Sequence, residues 1–71
     1  MPNHQKINMY MLGDNFALVG NMENILEKVR ELSREIGQGI DFEHNGNKGV
    51  NTIVTLSSQS SLLLKEHLDK K

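Results

Sequence analysis

The 71-residue chain has no cysteine, no tryptophan, a single proline and only three aromatic side chains, Tyr10, Phe16 and Phe42. Without cysteine there is no disulfide framework, no thiol nucleophile and no cysteine-bound metal, which fits a reducing compartment and sets a cytoplasmic location as the expectation. No stretch approaches the ~18 apolar residues of a membrane span, and the N-terminal residues hold no apolar segment of the secretory-signal type, so no membrane partner is expected. Charge of one sign is missing too. The 8 Lys and Arg nearly balance the 9 Asp and Glu, leaving a net charge of −1, which excludes a strong electrostatic footprint for nucleic acid or anionic lipid.

What is present, 37% hydrophobic and 24% charged residues, is the mix of one small globular domain spanning residues 1–71. A domain of this size buries roughly 60% of its unfolded surface, and its single core rarely nets more than ~3–5 kcal/mol. With no disulfide to staple it, self-association is the remaining route to stability, and a two-fold homodimer is the expected form.

Residues 1–5 are polar, contain the proline, and read as a flexible lead-in. Ile7, Met9 and Met11 then alternate with Asn8, Tyr10 and Leu12, the period of a strand. Gly13, Asp14 and Asn15 supply a turn before the apolar run Phe16, Ala17, Leu18, Val19, so the two runs read as a hairpin. A helix is predicted over residues 22–36, where Met22, Ile25, Leu26, Val29, Leu32 and Ile36 trace one stripe. Asn21 is its N-cap, Glu23 an anion in its first turn and Gly37 its C-terminal stop. Alternation resumes at residues 40–44, residues 45–49 read as a five-residue turn, and residues 50–56 read as a β-branched strand. A last helix is predicted over 59–69, capped by Ser57 or Ser58 and carrying Leu62, Leu63, Leu64 and Leu68. The ββα order repeats, and an offset of 37 residues matches Phe16 with Ile53, Val19 with Leu56, Ile25 and Leu26 with Leu62 and Leu63, and Lys28 with Lys65.

This order predicts an α+β fold: a four-stranded antiparallel sheet with two helices on one face, ββαββα, a permuted ferredoxin-like arrangement with spatial order 1-2-4-3. Ile7, Met9, Met11, Ile40, Phe42, Val54 and Leu56 are then expected on the covered face. Tyr10, Leu12, Ile53 and either Val19 or Leu18 fall on the open one, among Asn8, Asp41, Glu43, Asn51 and Thr55. An apolar patch on an open sheet marks an interaction surface, and stacking two such sheets would hide it. Tyr10, Leu12, Val19 and Ile53 are the candidate partner or dimer interface.

Catalytic constellations are thin. Ser60 and His67 are one heptad apart, but no strained elbow presents a serine, and the serine cluster is explained by helix capping. His4, His44 and His67 lack metal-ligand spacing. The ladder Glu23, Glu27, Glu31, Glu35 is interleaved with Lys28, Arg30 and Arg34, a solvated helix face neutralised by pairs such as Glu27 with Arg30 and Glu31 with Arg34. Residues 45–49 join two strands and so do not open onto a helix N-terminus as a phosphate loop does. An exposed N-terminal Pro2, after loss of Met1, is the general base of some small tautomerases, but three polar residues and Lys6 separate it from the first strand. No cofactor or metal is expected.

The leading expectation is therefore a small non-enzymatic regulator, inhibitor or adaptor that binds another protein and itself. The alternative is a dimeric nucleic-acid-binding regulator using Arg30, Arg34, Lys48, Lys65 and Lys70 against phosphates.

Overall fold

A computed structural model describes residues 7–70. The lead-in expected over residues 1–5, together with Pro2 and His4, lies outside them.

Strand β1, Asn8–Leu12, and strand β2, Asn15–Gly20, form the first hairpin. Leu12 pairs with Asn15, so the turn is the two residues Gly13 and Asp14 rather than the expected three. Gly13 has φ 63 while no described non-glycine residue has positive φ. That is the pattern of a type II′ turn, whose twist matches the flanking strands and whose first central position excludes a Cβ.

Helix α1, Met22–Ile36, begins and ends where the stripe and caps predict. The Asn21 side chain accepts the Glu23 N–H at 2.8 Å. Gly37 adopts φ 84 and donates its N–H to the Ser33 carbonyl at 2.8 Å, closing the last turn. Gln38 adds a second bond to the same carbonyl at 3.2 Å, a Schellman-type stop.

The second hairpin departs from expectation. Strand β3, Phe42–Lys48, runs through the segment read as a turn, and strand β4 is Asn51–Leu56. Ile40 and Asp41 precede β3, and Val50 is a turn residue, 97% exposed. Asn47 pairs with Thr52 and Lys48 with Asn51, leaving Gly49 and Val50 as the loop. A five-residue loop would strand the backbone groups of Asn47 and Lys48. The fold pairs them and absorbs the surplus residue in a bulge between His44 and Asn47, where Asn45 and Gly46 oppose Ile53.

Helix α2, Ser58–Asp69, starts one residue earlier than predicted, with Ser57 accepting the Ser60 N–H at 3.1 Å. The sheet order is β1-β2-β4-β3, every neighbour antiparallel, as the ββαββα order implied.

Cross-strand partners share a face. Leu18 opposes Val54, and both are fully buried with Phe16 and Leu56 beneath Ile25, Val29 and Leu32 of α1 and Leu64 of α2. Both helices therefore occupy one face. Ile7, Ile36, Ile40 and Phe42 pack at the margin of this core. The offset of 37 residues is not a structural repeat: it matches core Phe16 with open-face Ile53, and open-face Val19 with core Leu56. The unit order repeats, while the side-chain placement does not.

Candidate interaction surface

The sheet register decides which side chains share the helix-free face. Tyr10 opposes Ala17, Ala17 opposes Thr55, and Thr55 opposes Glu43, one row across all four strands. Asn8, Val19 and Ile53 form the next row, and Leu12 with Asn15 the one before. The structure thus brings Tyr10, Leu12, Val19 and Ile53 onto one surface, with Ala17 in its centre. Leu18 belongs to the core instead.

The four are unequally exposed. Tyr10 and Leu12 keep 40% and 50% of their surface in solvent, whereas Val19 and Ile53 are half-buried. Ala17 is fully buried, closed over by taller neighbours on β1 and β4. The apolar character of the face is therefore concentrated at β1.

The same strand overturns one expectation. Met9 and Met11 point to the helix side, as alternation requires, yet are 39% and 46% exposed. The helices pack over β2 and β4, and β1 extends beyond their cover, so every residue of β1 is exposed. Leu62, on the first turns of α2, stays exposed and lines a shallow groove with Met11, Asp14 and Lys65.

The serines serve structure. Ser60 and Ser61 are each 2% exposed. The Ser60 hydroxyl accepts the Asp41 N–H at 2.8 Å, and the Ser61 hydroxyl accepts the Phe16 N–H at 3.0 Å. Asn15 donates its side-chain amide to the Leu56 carbonyl at 2.9 Å. The N-terminus of α2 is thereby tied to the start of β2 and to the residue before β3, while Asn15 ties β2 to the end of β4. His67 lies away from this cluster and meets Glu35 of α1 at 3.2 Å, while His44 meets Asn47 across the bulge at 3.2 Å. Ser60 and His67 thus have separate partners. Among the described residues no group of three or more His, Cys, Asp or Glu is placed to hold a metal ion.

A cleft of about 430 Å³ at the end of the sheet is lined by Asn15, Asp41, Glu43, Asn45 and Ser57 among others. It offers two carboxylates and no lysine, arginine or histidine.

The basic candidates are dispersed. Arg30 and Arg34 share the outer face of α1 with Glu27 and Glu31, and Glu31 pairs with Lys28 at 3.4 Å. Lys48 flanks the β3–β4 turn, at the opposite end of the sheet from the β1–β2 turn near Lys65. Lys70 caps α2. The open face itself carries Glu43 and, at its far end opposite Asn51, Lys48.

No helix among the described residues is long and apolar enough to cross a membrane. Comparison with protein-family models, with curated proteins and with solved structures finds no match.

Proposed function

We propose that this chain is a small non-catalytic binding module of the cytoplasm that acts through protein–protein contact and self-associates as a homodimer. The observation that carries this reading is the helix-free face on which Tyr10, Leu12, Val19 and Ile53 meet, with its most exposed apolar residues on one strand. A domain this small holds little stability in reserve, and covering that surface by another chain adds to it. Regulation, inhibition or scaffolding of a partner protein all fit such a surface. A phosphate-binding role fits less well, since the arginines and lysines are spread over separate surfaces and interleaved with acids.

Sedimentation of the wild-type chain and of Tyr10→Glu tests the reading. A carboxylate there would be desolvated on association, at a cost of several kcal/mol. The wild type is expected to approach dimer mass with rising concentration, and Tyr10→Glu to stay monomeric with unchanged far-UV circular dichroism. Equal masses for the two proteins, or a wild type that remains monomeric throughout, refutes it.

A further inference from the structure

The two edges of the sheet are built differently. Outer strand β3 carries Glu43, His44 and Lys48 and is interrupted by a bulge, the devices that blunt an edge against pairing. Outer strand β1 has the sequence NMYML, with no charge, no proline, no bulge and an unbroken register against β2. Among the described residues it is an unpaired, regular and largely apolar edge.

Its hydrogen-bonding parity follows from the turn. Leu12 and Asn15 flank a two-residue loop, and such a flanking pair exchanges both main-chain bonds. Alternation then makes Tyr10 with Ala17 and Asn8 with Val19 the other bonded pairs. The N–H and C=O groups of Met9 and Met11 are left facing outward from the sheet.

We propose that the homodimer forms edge to edge, with β1 of one copy antiparallel to β1 of a second copy about a two-fold axis at Tyr10. This inference rests on the self-association proposed above and says where it occurs. In that register Met9 of each copy opposes Met11 of the other, so the outward groups satisfy one another in roughly four main-chain bonds. Tyr10 opposes its own copy in the closer, non-bonded pair, and Asn8 opposes Leu12. All five residues of β1 are paired, and none of them is charged. The result is a continuous eight-stranded sheet.

Exposure selects this occupant over a stacked sheet. Stacking on the open face would cover Tyr10 and Leu12 but leave Met9 and Met11 wet on the helix side. Edge pairing shields both sets at once, and the second copy brings the same methionines to the same side. Taking the roughly 150–250 Å² of a large aromatic side chain as an upper guide for these residues sets the scale. At 39–50% exposure, residues 9–12 hold about 500–900 Å² over two copies, short of the ~1,200 Å² of a standard interface. The dimer is accordingly a weak one, of the small transient class, with dissociation expected in the micromolar range or above. Val19 and Ile53 stay outside the self-contact, so the open faces of the two copies form one surface for a protein partner.

Sedimentation equilibrium of the full chain from ~10 µM to ~1 mM tests the proposal across that range. Met11→Pro removes an outward N–H without touching the bonds to β2, which an edge strand tolerates. It is expected to remain folded by circular dichroism and monomeric, while Ile53→Asp, two strands in from the edge, keeps the dimer. Persistence of the dimer in Met11→Pro overturns the edge model. If Ile53→Asp abolishes it instead, the contact is face to face and self-association itself stands. A wild type that is monomeric at every concentration overturns both. Should Met11→Pro fail to fold, the pair Met9→Lys/Met11→Lys and Met9→Lys/Met11→Glu decides. The first sets like charges opposite each other across the two-fold and should lose the dimer; the second sets opposite charges there and should retain it. Equal masses for those two variants overturn the register.

Discussion

Replacing Ser61 by alanine tests the tie between α2 and the sheet. Ser61 is 2% exposed, and its hydroxyl accepts the Phe16 N–H at 3.0 Å. The contact it makes with the Leu56 carbonyl, 3.5 Å, is too long to count for much, and that carbonyl already accepts from Asn15 at 2.9 Å. Alanine fits the same space, so the effect reduces to one main-chain donor left buried without a partner. Such a donor costs about 1–3 kcal/mol, set against the ~3–5 kcal/mol that a domain of this size holds. A loss of about 2 kcal/mol raises the unfolded fraction roughly thirtyfold. With a urea slope near ~1 kcal/mol/M for so short a chain, the midpoint falls by about 2 M. The assay is urea unfolding followed by circular dichroism, with wild type and variant at one fixed protein concentration because the proposed dimerisation would add to apparent stability. Ser58→Ala is the control: Ser58 is an exposed residue of the same serine cluster, and its replacement should move stability by less than ~0.5 kcal/mol. A Ser61→Ala midpoint equal to that of the control would refute the reasoning.

Two further outcomes follow from the helices. Leu64 is fully buried and Leu62 is 55% exposed, so Leu64→Ala should cost ~2–5 kcal/mol and abolish the cooperative urea transition, whereas Leu62→Ala should leave it within ~0.5 kcal/mol of wild type. Gly37→Ala should lower stability by about 1 kcal/mol through conformation alone, since φ is 84 and nothing lies within 4 Å of the added Cβ; thermal unfolding that is unchanged would contradict the left-handed cap.

The helix boundaries were legible because several independent signals converge on them. For α1, the stripe runs from Met22 to Ile36, Asn21 marks the same start and Gly37 the same end. The sheet order followed from the ββαββα succession and from how a crossover must return to its sheet. The second hairpin was less legible. Asn45, Gly46, Asn47 and Gly49 all carry turn chemistry, and composition does not distinguish a long loop from a bulge followed by a short one. That choice is made by the backbone: Asn47 and Lys48 gain partners on β4 only if the surplus is absorbed at the bulge. The buried serines were hidden for a related reason. Ser57, Ser60 and Ser61 all read as cap residues, and only the packing of α2 against the ends of β2 and β3 makes the hydroxyls of Ser60 and Ser61 partners of distant main-chain donors.

The methionines of β1 show where periodicity stops being informative. Alternation assigns Met9 and Met11 to the helix side of the sheet, and that assignment is correct. It does not say whether a helix reaches them. Cover depends on where two helices of 15 and 12 residues sit, and both lie over the central strands, whose Leu18, Val54 and Leu56 are buried to within 1%. A strand at the margin of a four-stranded sheet is then apolar on a face that has nothing above it. Charge, which would have made that margin soluble and unsociable, is placed on β3 instead. The proposed interaction surface thus follows from an asymmetry between two strands that only the assembled topology turns into edges: one edge is armed against pairing and the other is left fit for it.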